Sequence, residues 1–160
     1  MKTAALAGIV LGLLVAGWTL VMGFTGWYKD PALSSAFFAV VLIQIVVLIV
    51  TLAKTRESRG YLGQIGVGVV ASLVAAVIIF GSSMVFTTVL FPEYFEELRA
   101  MQELLLREQG LDEAAIREQV AAAAPMQTPF MQAFAGFAGT TVTGLVVSAV
   151  AAIFLRKRAD

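Results

Sequence analysis

Glu93, Glu96 and Glu97 stand within one short stretch, and paired with a suitable neighbour they could do general acid–base work. No partner constellation accompanies them. The chain has no His and no Cys, which excludes imidazole proton transfer, thiol catalysis, thiolate metal sites and disulfides. Nor do the acidic residues near these three reproduce the spacing of a calcium-binding loop. They read as a charge run, and no catalytic, cofactor-binding or metal-ligating residue is assigned.

Transport is the second chemistry to weigh. Gln44, Gln64, Thr140 and Thr143 lie in long uncharged stretches, where they form a candidate polar path. The cluster of Gly136, Gly139, Thr140, Thr141, Thr143, Gly144 and Ser148 invites the same reading. Packing explains it better, because small residues let membrane helices approach closely and hydroxyls can bond across the contact. The candidate packing positions are Gly8 and Gly12, then Gly68 and Ser72, then Gly136, Thr140, Gly144 and Ser148, each set repeating every fourth residue. No charge lies inside a span to mark an ion or proton route. Gly81, Ser82 and Ser83 offer only a weak point where a helix could loosen.

The elements that carry these residues follow from the distribution of charge. The 160 residues include 11 basic and 11 acidic side chains, and 59% are hydrophobic. Positions 3–28, 31–53, 60–92 and 119–155 contain no charge at all. A bilayer core about 30 Å thick needs roughly 20 apolar residues per helix. The sequence therefore predicts an all-α integral membrane protein with four transmembrane helices, at about 4–24, 33–53, 63–91 and 130–155, in a single domain. Lipid is its first partner, and the balanced charge argues against nucleic acid. The first stretch competes with a signal peptide but is long for one and lacks a persuasive cleavage site. Val and Ile in the second would favour a strand in water, yet in lipid the backbone must satisfy itself, so helix wins.

Orientation follows from basic residues in short loops. Lys2, Lys54, Arg56, Arg59, Arg156, Lys157 and Arg158 fall on one side, and Lys29, Arg99, Arg107 and Arg117 on the other. Both termini are expected in the cytoplasm. Residues 92–128 then form an extracytoplasmic amphipathic helical hairpin between the third and fourth spans. Between Glu93 and Glu118 it carries eight acidic residues and three Arg. Tyr94, Leu98, Met101 and Leu105 recur as one apolar face. Gly110 ends the first helix, and Asp112 caps the second, with Leu111 and Ile116 as a staple. Tyr94, Leu98, Met101, Leu105 and Ile116 make a candidate surface for a second copy or a membrane-protein partner, or else the underside of a cap on the bundle.

The ordered features resemble a family of small, uncharacterised four-span membrane proteins common in Bacteroidetes, catalogued as a domain of unknown function. The resemblance rests on the turn 55–60 before Tyr61-Leu62-Gly63-Gln64, and on Phe91-Pro92-Glu93-Tyr94-Phe95 leading into an acidic helix. It continues through Gly110-Leu111-Asp112-Glu113-Ala114-Ala115-Ile116 and Pro129-Phe130 to the closing Arg156-Lys157-Arg158. It implies a bacterial inner-membrane protein with an exterior helical pair, and it brings no activity and no active residues. Three classes remain. A structural or accessory membrane protein comes first, a small oligomeric transporter or channel second, and a membrane enzyme using the carboxylates above third.

Overall fold

A computed structural model describes residues 1–155, so the Arg156-Lys157-Arg158 cluster lies outside the described residues. Four helices are long and apolar enough to cross a membrane, and a pair of helices intervenes between the third and fourth. Helix α1 runs Lys2–Thr25 and ends on Gly26, whose φ of 71° is the left-handed geometry that a glycine adopts without strain. A 3₁₀ turn at Trp27–Lys29 leads to the short α2, Pro31–Ser34, where the Asp30 carboxylate accepts from the Ala32 amide at 2.8 Å.

The stretch 33–53 is not one uninterrupted helix. A 3₁₀ turn at Ser35–Phe38 precedes α3, Ala39–Thr55. The Trp18 indole donates to the Ala36 carbonyl at 3.0 Å, fixing this turn against α1. Helix α4 runs Tyr61–Val85 and stays regular through Gly81, Ser82 and Ser83; its irregularity comes later, as a widened π turn at Phe86–Leu90 closed by the Phe91 amide on the Phe86 carbonyl.

Helix α5 spans Tyr94–Glu108, and Gly110 (φ 81°) then reverses the chain. The Gly110 amide bonds Arg107 O and the Leu111 amide bonds Leu106 O, the paired bonds of a Schellman motif. Asp112 caps α6, Glu113–Ala123, by accepting from the Ala115 amide at 2.7 Å. After a 3₁₀ turn at Ala124–Met126, Thr128 accepts from the Met131 amide and α7 runs Pro129–Leu155, with Pro129 at a position where its missing donor costs nothing.

Helix α4 is the hub of the bundle. It packs most extensively against α7 and α1, while α3 closes the ring by touching α7 and α1. Glycines set the approach distances. A side-chain carbon at Gly8 would collide with the Ala71 carbonyl oxygen, and one at Gly12 would lie 2.8 Å from Ile78 Cβ, so α1 and α4 run parallel with backbones nearly touching. Between the antiparallel α4 and α7 the fit is reciprocal. Ser148 fills the space that a side chain at Gly68 would need, and Ser72 does the same at Gly144. In lipid the driving force for such contacts is close packing and hydrogen bonding between helices rather than expulsion of water. Apolar side chains including Leu6, Leu13, Val77 and Phe154 stay exposed, as a lipid-facing surface requires.

Candidate functional site

Two glutamines of the spans, Gln44 and Gln64, bond across helices at different depths. Gln64, fully buried, gathers three elements where α3 ends and α4 begins. Its amide nitrogen donates to Leu52 O at 3.2 Å and Leu155 O at 3.3 Å, and its oxygen accepts from the Thr55 hydroxyl at 2.9 Å. Gln44 lies nearer mid-bundle and donates to the Thr140 carbonyl at 2.7 Å, joining α3 to α7. Leu48 and Leu52, both without exposed surface, stand along α3 between the two glutamines. The hydroxyls of Ser72 and Ser148 are buried in the α4–α7 seam without a partner.

From Gln44 toward α5 the bundle opens into a half-enclosed cavity of about 690 Å³. Gln44, Thr140 and Thr143 lie at its floor, and Tyr94, Leu98 and Met101 of α5 contribute its roof. The small residues Gly81 on α4 and Gly139 on α7 line it too, and a side-chain carbon at either would meet no atom within 4 Å. Several hydroxyls of the wall are bonded back to the protein, while Ser83, Gln132 and Thr143 add further polar groups to the lining. Thr19 donates to Val15 O at 3.0 Å, Ser82 to Ile79 O at 3.1 Å and Thr87 to Ser83 O at 2.9 Å, each satisfied by its own helix.

A clamp holds α5 over this opening. The Tyr28 hydroxyl donates to one oxygen of Glu97, and Lys29 Nζ bonds the other at 2.6 Å. The hydrogen bonds from Lys29 and then Tyr28 hold the Glu97 carboxyl below the usual carboxylate range. Burial, reinforced by the adjacent carboxylate, raises the Tyr28 hydroxyl well above its ordinary value, and burial also raises Tyr94. Aromatic contacts back the clamp: Tyr28 and Tyr94 have ring centroids 5.0 Å apart, and Phe86 and Phe91 4.6 Å. Gly23 admits them, since a side-chain carbon there would stand 2.6 Å from both Phe86 and Phe91.

The residues singled out by spacing are thus separated by the fold. Gly68, Ser72, Gly144 and Ser148 meet in one seam, Gly8 and Gly12 serve another, and Gly136 lies beside Ile79. Thr140 contributes its carbonyl to Gln44 and lines the cavity with Thr143. Gln44 and Gln64 do not meet. On α5, Tyr94, Leu98 and Met101 line the cavity while Leu105 does not, and the most buried side chains are Phe95 and Leu106, one position round the helix. Ile116 of α6 is almost fully buried. Glu97, one of the three carboxylates, serves the clamp. The roles of Tyr28, Lys29 and Gly23 here are not legible in the sequence because their partners are remote in it, Tyr28 and Glu97 lying 69 positions apart.

Among the described residues no group of three or more acidic side chains is placed to hold a metal ion. No curated protein and no solved structure matches the chain. A family model described as a protein of unknown function (DUF4199) matches residues 6–157. With four membrane-spanning helices and a match over nearly its whole length, the chain is a multi-pass bacterial membrane protein that belongs to the DUF4199 family.

Proposed function

We propose that this protein is a non-enzymatic accessory component of the bacterial inner membrane, with both termini cytoplasmic and the α5–α6 hairpin outside. The observation that carries this reading is how Gln44 and Gln64 of the spans are engaged. Gln64 makes three hydrogen bonds that tie α3, α4 and α7 together, and Gln44 bonds a backbone carbonyl of α7. A conducting path would have to join these two side chains, and buried Leu48 and Leu52 lie between them. That arrangement suits a bundle that holds its shape. The hairpin supplies the working surface: Phe95, Leu106 and Ile116 are buried, while Glu93, Glu96, Glu108, Asp112 and Glu118 remain exposed for a membrane-protein partner. Lys54, Arg56 and Arg59 at the opposite end support the orientation.

The chain has no cysteine, so single-cysteine variants report cleanly. Glu118→Cys is expected to react with a membrane-impermeant maleimide in intact spheroplasts, and Ser58→Cys only after lysis; the reverse pattern overturns the orientation. A photocrosslinker at Glu108 should give a discrete adduct with a partner protein. Unchanged mobility, together with ion or solute flux through proteoliposomes, would favour a channel instead.

A further inference from the structure

We propose that the cavity beneath α5 holds the hydrocarbon chain of a membrane lipid, taken from the leaflet on the α5 side. Depth is the first reason. The α7 wall from Gln132 to Thr143 rises about 16 Å at 1.5 Å per residue. That is half of a hydrocarbon core of about 30 Å, the depth of one leaflet. The cavity begins at the α5 end and stops at Gln44, so its occupant is the length of a single tail and does not cross the membrane.

Wall chemistry is the second reason. At about 690 Å³ the space falls in the range of roughly 300–1,000 Å³ typical of ligand pockets. Water fills a cavity only where it finds two to four polar partners, and an apolar cavity instead stays dry or takes an apolar guest. Here the hydroxyls of Thr19, Ser82 and Thr87 bond backward onto their own helices. Val15, Ile79, Phe86 and Met101 supply hydrocarbon and sulfur to a lining that is mainly apolar, with polar side chains such as Gln44, Thr140 and Thr143 at the floor. An unfilled cavity of this size forfeits the dispersion contacts of its entire lining.

Access is the third. Phe37, Phe38 and Val41 belong to the lining yet are exposed, Phe38 at 70%, so the wall on the α3 side is continuous with the lipid-facing surface. On α7, Ala135 and Gly139 face the same opening with almost no side chain. A chain can enter sideways from the surrounding bilayer, where hydrocarbon is the solvent. The claim does not depend on the accessory reading above, which concerns the outer face of the hairpin.

Photolabelling of the full-length protein tests it. The protein is reconstituted in vesicles of phosphatidylethanolamine and phosphatidylglycerol doped with a phospholipid carrying a diazirine in one acyl chain, irradiated, and its adducts are mapped by peptide mass spectrometry. Adducts are expected at Ile79, Phe86 and Met101 as well as at the lipid-facing Leu13 and Val77. Gly139→Phe, which fills the cavity, should lower the interior adducts roughly tenfold and leave Leu13 and Val77 unchanged. Gly81→Leu repeats the test from α4, and Gly17→Phe, which points into open space outside the cavity, should alter nothing. Adducts confined to the lipid-facing surface in the wild type overturn the proposal, and so do interior adducts that persist in both filled variants. Should neither variant fold, the wild-type pattern decides alone.

Discussion

The two halves of this bundle are built from the same residue types and reach opposite results. At the end away from α5, Gly68 and Gly144 face serines, and the α4 and α7 backbones close until no further atom fits. At the α5 end, Gly81 and Gly139 sit on the same two helices and face empty space. A glycine in a membrane helix is therefore not by itself a packing signal. What distinguishes the two pairs of glycines is the neighbour: Gly68 and Gly144 each meet a serine of the facing helix, whereas no atom comes within 4 Å of a side-chain carbon at Gly81 or Gly139. The closed half is fastened by Gln64, whereas the open half is bridged by a lid that the Tyr28–Lys29–Glu97 clamp holds from outside the spans.

That contrast can be broken at graded strengths. The largest effect is expected in the seam. Gly68→Ala puts a methyl where Ser148 Oγ already stands and should cost about 1–3 kcal/mol, read from unfolding in a denaturing-detergent titration. Adding Ser148→Gly should recover most of that loss, because the two residues share one space. Gln64→Leu comes next. It removes the partner of Leu52 O, Leu155 O and the Thr55 hydroxyl together, and should cost about 1–2 kcal/mol. Gln44→Leu removes one such bond, and about 0.6 kcal/mol is expected in the same titration.

The smallest effect belongs to the clamp, whose ion pair is half open to solvent. Glu97→Gln should change global stability by less than about 0.5 kcal/mol, while amide exchange through α5 speeds up. The pH dependence has a definite sign. Glu97 titrates lower in the folded protein than its ordinary value of about 4.3. The stabilisation is therefore complete above that value and is lost as pH falls through the lower folded-state value. Expressed as protection factors, which remove the intrinsic rise of exchange with pH, α5 is expected to lose protection on acidification in the wild type and not in Glu97→Gln; a loss of protection on raising the pH from neutral to mildly alkaline would contradict it.

Much of this architecture is legible in the residues. Charge-free stretches of membrane length and two amphipathic helices separated at Gly110 follow from local physics that any window of the chain contains. The caps are equally local, since Asp112 and Gly110 act on amides a few positions away. The cavity is not legible, because it depends on which small residues of one helix meet which of another. Helix α5 shows the limit well. Tyr94, Leu98, Met101 and Leu105 form one apolar stripe, and Phe95 and Leu106 belong to a second, adjacent one. Periodicity alone does not rank them, and the bundle buries the second more deeply while setting three residues of the first over the cavity. The π turn at Phe86–Leu90 lies where Phe86 and Phe91 both pack against Gly23, a contact 63 and 68 positions away in the chain that no local window contains.

One paired measurement tests the division of the bundle most directly: the thermal stability of Gly68→Leu and Gly139→Leu in identical lipid nanodiscs. The same substitution is made once on α4 against Ser148 and once on α7 where no atom lies within 4 Å. The account predicts a strongly destabilised or unfolded Gly68→Leu beside a Gly139→Leu that melts at or above the wild-type temperature. Equal losses in the two variants would contradict it, because the end beneath α5 would then be as tightly packed as the seam.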